Sequence, residues 1–399
     1  MKYLRTIILS LFIGCSLFGN SQLTLDSIEV SLLICSPGKN VYELEGHAGL
    51  RLRNITSGYD VVVNYGLFDF NSPNFIYRFV KGETDYMAGA CDYADFKNLY
   101  LGEKRIVKEW PLNLTLAEAN RLVELVSDNL RPENRTYRYN YVLDNCSTRP
   151  VRTIELAVGD SLVFSSPAFS QKWSFRDVMR HYHKNYPWYQ FGIDLALGSG
   201  IDYELNSRSK IFAPVLLDKM VGGAYFNSSG RPLVLSDAVV CEPTETFNPD
   251  NSKPLPITPM CVALGVLVLA ITVAVVDIRR RRVTKWVDTL LMGVYGLTGC
   301  VLCFLVFVSE HEATSPNWLL VWMNPFCLII PTLIYIKRAS VLVLRYEIVN
   351  FVALLTLGLA WPWLGQTGNM AFLPLAGADM VLTIRYIYLA LCTKRTTVS

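Results

Sequence analysis

Pro243-Thr244-Glu245-Thr246-Phe247-Asn248-Pro249-Asp250-Asn251-Ser252-Lys253-Pro254-Leu255-Pro256-Ile257-Thr258-Pro259 is the stretch on which the architecture turns. Its five prolines remove N–H donors and fix φ, and few apolar side chains lie between them, so residues 243–258 predict an extended tether. Composition differs on its two sides. Residues 22–256 hold most of the Asp, Glu, Lys and Arg, whereas residues 257–393 are apolar runs broken by short basic clusters. The first part predicts a soluble domain over residues 22–242, and the second a lipid-embedded one over residues 259–393. A length of 399 residues leaves room for both.

C-terminal to the tether, five apolar stretches reach the length needed to cross a hydrocarbon layer of roughly 30 Å: about 259–276, 286–308, 318–336, 347–364 and 371–391. Arg279, Arg280, Arg281, Arg282 and Lys285 follow the first, Lys337, Arg338 and Arg345 the third, and Lys394 and Arg395 the fifth. The loops Ser309–Pro316 and Gly365–Met370 contain no Lys or Arg. Basic loops stay on the cytoplasmic side, so residues 22–256 are expected outside and residues 394–399 form a cytoplasmic tail. Asp288, Asn350, Asp379 and Arg385 lie within apolar spans, where polar groups are costly and face a cavity or one another.

The N-terminus agrees with that topology. Lys2 and Arg5 precede an apolar run from Thr6 to Phe18, with Gly19 and Ser21 ahead of Gln22, the pattern of a signal peptide cleaved after Ser21. Phe12-Ile13-Gly14-Cys15 offers a rival lipoprotein-type cleavage box, against which the apolar run continuing through Phe18 counts. A formal charge of +3, much of it in loops beside the spans, gives no reason to expect a nucleic-acid partner. Cys300 and Cys303 form a CxxC on an apolar helix, where two small packing residues are the plainer interpretation.

N-terminal to the tether, Ser27–Ile34, His47–Arg53 and Asp60–Phe68 have the apolar patterning of strands, with Pro37-Gly38-Lys39-Asn40 and Thr56-Ser57-Gly58 as turns. Thr115–Leu130 instead spaces Leu116, Ala119, Leu122, Val123 and Val126 as a helix face, opened by Thr115 with Glu118 three residues on. A further helix is expected from Cys146 through Leu156. Strands followed by helices predict an α+β domain.

Two residues in this domain have the chemistry of an active site. His47 is the only histidine in the first 180 residues and starts a strand between Gly46 and Gly49, which holds it rigidly in open surroundings. Cys146, in Asp144-Asn145-Cys146-Ser147-Thr148-Arg149, falls where a helix begins; the helix dipole and free N–H groups there lower a thiol's pKa and can hold an oxyanion. A disulfide from Cys146 to Cys35, Cys91 or Cys241 is the structural alternative in an oxidising compartment. His181 and His183 are two residues apart and do not share a helix face, so no metal site is expected. No GxSxG occurs to supply a serine nucleophile elbow.

Glu45-Gly46-His47-Ala48-Gly49-Leu50-Arg51, Asn64-Tyr65-Gly66-Leu67-Phe68-Asp69-Phe70, Phe79–Tyr86, Tyr137–Arg149 and Gly192-Ile193-Asp194-Leu195-Ala196-Leu197-Gly198 resemble the Lnb family of Bacteroidota-type lipoprotein N-acyltransferases. The membrane half is similar too, through Asp288, Ser309-Glu310-His311, Thr314, Asn317, Leu319, Leu320, Asn324 and Pro325. The resemblance implies a permuted papain-like (NlpC-type) extracytoplasmic domain in which a strand His precedes a helix-start Cys, followed by an all-α transmembrane domain of five helices. It implies Cys146 as nucleophile and His47 as base, with no cofactor. A third group orients the imidazole in such folds: Asn64 is the first choice and Asp69, at the end of the same segment, the second. His311 and Asn317 flank a loop expected on the same side as the catalytic domain and are candidates to hold a lipid headgroup or an acceptor amine.

The implied reaction takes an acyl chain from a phospholipid onto Cys146 as a thioester, with amides of Cys146 and Ser147 around the oxyanion. The chain then passes to the α-amine of a diacylglyceryl-cysteine lipoprotein. Two rivals stand beside it. A cysteine peptidase or amidase would use the same pair with water as acceptor, and a non-enzymatic receptor would carry Cys146 in a disulfide.

Overall fold

The computed structural model describes residues 27–398 apart from residue 70 and residues 166–170, and the expected signal peptide, residues 1–21, lies outside the described residues. The chain forms two compact units. Among the described residues, one holds those up to 76, 83–182 and 204–252, and the other holds 77–82, 183–203 and those from 253 onward. The boundary at Ser252 and Lys253 falls within the proline-rich tether. Two short segments from the expected extracytoplasmic stretch, 77–82 and 183–203, thus belong to the second unit.

The first unit is built on nine described strands: β1 (Ile28–Cys35), β2 (His47–Asn54), β3 (Tyr59–Leu67), β4 (Asp85–Asp92), β5 (Val107–Pro111), β6 (Thr136–Arg138), β7 (Leu162–Phe164), β8 (Ala224–Phe226) and β9 (Ala238–Cys241). Seven form one sheet in the order β6-β4-β3-β2-β1-β5-β9, with every neighbouring pair antiparallel, and β7 pairs with β8. The unit is α+β, as its order of elements predicts.

β1 is buried from Val30 to Cys35 because both sheet faces are covered. Val30, Leu32 and Ile34 point into the larger core with Leu50, Val63 and Tyr65, while Leu33 and Cys35 join Val62, Phe96 and Val107 on the other face. That second face lies under α1 (Tyr93–Gly102). The larger core takes Ala119, Leu122, Val123 and Val126 from α2 (Leu116–Leu130), the apolar stripe read from the sequence. Both bonds of the expected capping box are made: the Thr115 amide donates to Glu118 at 2.7 Å, and the Glu118 amide to Thr115 Oγ1 at 3.3 Å. Val151 and Ile154 of α3 (Thr148–Val158) complete this core. α3 starts two residues later than the sequence suggests, and Cys146 lies just before its N-cap, Ser147.

The second unit contains α4 (Pro259–Arg280), α5 (Lys285–Phe307), α6 (Ser340–Ala360) and α7 (Phe372–Val398). Among the described residues these helices supply the four spans long and apolar enough to cross a membrane. The third apolar stretch, expected as a fifth continuous span over 318–336, is instead three short pieces: Trp318–Val321, Pro325–Leu328 and Ile329–Leu333. Asn324-Pro325 accounts for the break. Proline has no N–H for a preceding turn and disfavours helical dihedrals in the residue before it, and Asn324 caps the next piece through Phe326 N at 3.1 Å.

The polar groups in these helices meet one another. Arg385 donates to Asp277 at 2.9 Å and to Asp288 at 2.5 Å. Asp379 accepts from Trp322 Nε1 at 3.0 Å and from Asn350 at 2.9 Å, and Thr383 bonds Glu347 at 2.8 Å. Asp277, Glu347 and Thr383 are members that the sequence pattern did not single out.

Candidate active site

The site is assembled at one end of β2 and β3. Antiparallel register places Gly49 opposite Asn64, and the Asn64 side chain reaches along the sheet so that Oδ1 lies 3.0 Å from His47 Nε2. With Nε2 engaged by a carbonyl oxygen, Nδ1 is the ring nitrogen left for proton transfer. Asn64 Nδ2 in turn points to Cys91 Sγ at 3.7 Å, which fixes the amide's orientation. Asp69, the second choice for this position, lies in a turn after β3, where its carboxylate accepts from Asn71 N at 2.8 Å and Asn71 Nδ2 at 3.0 Å.

Two glycines frame the pair. Gly46 has φ +85°, and a Cβ there would fall 2.5 Å from the Cys35 carbonyl, so only glycine lets the chain enter β2 at this angle. Gly66, also at φ +85°, sits at an irregularity between β3 and β4; a side chain on it would meet the Tyr139 ring at 3.2 Å and Cys146 Cβ at 3.7 Å.

Cys146 is carried by a tightly bonded loop. Asn140 and Asp144 exchange backbone hydrogen bonds at 3.2 and 2.9 Å, and Asn140 Oδ1 accepts from the amides of Val142 and Leu143. Asn145, buried, donates through Nδ2 to the carbonyls of Tyr141 (2.7 Å) and Phe212 (2.8 Å), while its Oδ1 accepts from the amides of Ser147 (2.9 Å) and Thr148 (3.0 Å). The Ser147 hydroxyl donates to the Ile211 carbonyl at 2.5 Å. Cys146 is half-buried and free, and the backbone N–H groups of Ala48 and of Cys146 itself lie close enough to its sulfur to favour the thiolate. Ala48 is the residue after His47, so thiol and imidazole share the same end of β2.

Local bonding changes two expectations about the thiol. The Ser147 amide, one of the two expected to face an oxyanion, is taken by Asn145. A helix start was expected to lower the thiol's pKa, but Cys146 precedes the helix and Asn145 caps the first amides. Burial pushes the thiol up to about 11; the two amides oppose this, and the nearby Glu45 carboxylate adds to it. Burial likewise pushes His47 down to about 4, against the Asn64 bond and together with the positive charge of Arg105. At neutral pH the pair is a thiol and an uncharged imidazole.

Glu45 and the tyrosines around it received no role from the sequence. Glu45 is buried beside Gly46, accepts the Tyr141 hydroxyl proton in a hydrogen bond, and is pushed up to about 7 by burial. Tyr139 stacks on Tyr86 at 4.1 Å and walls the thiol. The available signal was a carboxylate two residues before a lone histidine, together with the Tyr139-Asn140-Tyr141 run ahead of the cysteine.

His311 and Asn317 lie in the second unit. His311 Nε2 bonds the Phe79 carbonyl at 2.8 Å. Asn317 donates to the Leu195 carbonyl at 2.9 Å and accepts from the Leu319 amide and Gln366 Nε2 at 3.1 Å each. Both polar atoms of Asn317 are therefore engaged in capping and tying its own unit. Asp194, from the 192–198 motif, is fully buried between Gln190 at 3.0 Å and Asn369 at 2.9 Å.

An extracytoplasmic α+β domain joined to a bundle of long apolar helices defines a multi-pass inner-membrane protein with a periplasmic domain. Two family models match it: the Lnb N-terminal periplasmic domain over residues 17–179 and the Lnb transmembrane domain over residues 250–397. The chain belongs to the Lnb family. It matches no curated protein and no solved structure.

Proposed function

We propose that the protein is a lipoprotein N-acyltransferase working through a Cys146 thioester. The observation that carries this is the grouping of a free thiol, the Ala48 amide and the His47–Asn64 pair at one end of β2, in a chain of the Lnb family. The order His, Asn, Cys along the chain, with Nε2 bonded to an asparagine, is what a permuted papain-like site requires.

His47 Nδ1 takes the thiol proton as sulfur attacks the ester carbonyl of a phospholipid, and the Cys146 amide receives the oxyanion. Collapse breaks the ester C–O bond; His47 returns its proton to the departing lysophospholipid oxygen and the acyl chain remains on sulfur. The α-amine of a diacylglyceryl-cysteine lipoprotein then attacks the thioester and gives a proton through His47 to the leaving sulfur, which restores the thiol. Donor and acceptor are both membrane-held, which a membrane domain suits better than it suits peptide cleavage. In this proposal the broken 318–336 segment still crosses, bringing Lys337, Arg338 and Arg345 to the same side as Arg279–Arg282.

Mass spectrometry of lipoprotein N-termini tests it in cells that lack N-acylation and express either this protein or its Cys146→Ser form. An amide-linked acyl chain is expected with the unmutated protein and none with Cys146→Ser. Absence with both forms sinks the assignment.

Asn64 is proposed as the positioning residue for His47. Asn64→Ala is expected to lower kcat about a hundredfold with KM nearly unchanged, and Asn64→Asp to restore most of it by holding the ring again. Equal losses in both variants would point to a merely structural Asn64.

A further inference from the structure

We infer that a pocket on the Cys146 loop binds the phosphate group of the acyl donor; the donor part of this inference rests on the acyl-transfer proposal. The cavity, about 210 Å³, is lined by Leu143, Thr148, Arg152, Phe175, Arg208 and Ser209. It is smaller than the roughly 300–1,000 Å³ typical of whole-ligand sites, which suits a headgroup rather than an entire lipid.

Its charge is unbalanced toward an anion. Asp144 is shared: Oδ1 accepts from Arg149 Nε and from Arg152 Nη2 at 2.8 Å each, and Oδ2 from Arg149 Nη2 at 2.9 Å. Glu155 accepts from Arg208 Nη2 at 2.6 Å and divides itself with the Leu162 amide at 2.9 Å. Three guanidinium groups thus meet two carboxylates, leaving one positive charge in excess, the complement of a phosphodiester.

Arg152 is close enough to destabilise the Arg208 charge further, beyond the effect of burial and against Glu155. An anion between the two guanidinium groups would relieve that repulsion. Leu143 and Phe175 provide apolar wall for a glycerol or acyl stem beside the phosphate. Leu143 and Thr148 bracket Cys146, so the loop that carries the nucleophile also carries this pocket.

Calorimetric titration of the full-length protein in nonionic detergent tests the pocket with three probes: a short-chain phosphatidylglycerol, a diacylglycerol of the same chains, and inorganic phosphate. Arg152→Gln and Arg208→Gln are each expected to weaken the phospholipid about tenfold and leave the diacylglycerol unchanged. If inorganic phosphate binds as tightly as the phospholipid and is lost in the same variants, the pocket stands and its ligand is free phosphate. Unchanged phospholipid affinity in both variants overturns the inference. Arg152, whose side chain is 53% exposed, keeps the test valid should Arg208→Gln fail to fold. Acyl transfer is read alongside affinity, so an unmutated protein that binds the phospholipid but transfers no acyl chain counts against the enzymatic proposal alone.

Discussion

Site-resolved alkylation of Cys146 by iodoacetamide is expected to be slow at pH 7 and to accelerate steadily as pH rises toward about 11, and His47→Ala is expected to lower acyl transfer by about three orders of magnitude. A thiol with a pKa near 11 is ionised in only about one molecule in ten thousand at pH 7, against about one in a hundred for an unperturbed thiol near 9. The Ala48 and Cys146 amides favour the thiolate, but burial and Glu45 outweigh them. His47, held near 4, does not supply an imidazolium that would stabilise a resting thiolate. In the proposed mechanism proton removal therefore accompanies attack, and the imidazole base is expected to carry much of the rate. A preformed ion pair would instead show alkylation already at its plateau near pH 7. That plateau, or a His47→Ala variant within tenfold of the unmutated protein, would rule out this mechanism.

Arg385→Ala is expected to cost about 3–5 kcal/mol of membrane-domain stability, read as a lowered unfolding midpoint of the full-length protein in detergent. Arg385 is 1% exposed, and it is the bonded partner of both Asp277 and Asp288, themselves 1% exposed. Removing it strands two carboxylates in an apolar interior, where an unpaired charge is far more costly than a lost surface pair. Arg385→Lys is expected to recover part of the loss, since a single ammonium cannot span both carboxylates as the planar guanidinium does. A midpoint unchanged by Arg385→Ala would show that the helices are held without this bridge.

Patterns that depend on neighbouring residues were legible early. The Thr115 and Glu118 capping box forms as drawn, because it needs only four consecutive residues and a helix to follow. The three N-terminal strands appear within a residue or so of their expected bounds, since apolar β-branched runs between turn residues leave few alternatives. The third apolar stretch misled because hydropathy measures composition and is blind to Asn324-Pro325, which ends a helix by removing a donor. The thiol's pKa misled for a related reason. A cysteine near a helix start suggests a stabilised thiolate, but Asn145, two residues from Ser147, reaches the first amides before the sulfur can.

By itself, the sequence determined the two-part organisation, the α+β character of the first part, its place outside the cytoplasm and the family, because these follow from composition, charge distribution and local motifs. Only the tertiary structure decided which residues meet. Asn64 rather than Asp69 bonds His47 because β2 and β3 pair in a register that puts Gly49 opposite Asn64, whereas Asp69 has already turned off the sheet. Cys146 comes to Ala48 across about a hundred residues of chain because α3 packs its Val151 and Ile154 into the core over β2. Such pairings depend on strand register and on the shared burial of distant apolar faces, and neither leaves a local trace in the chain.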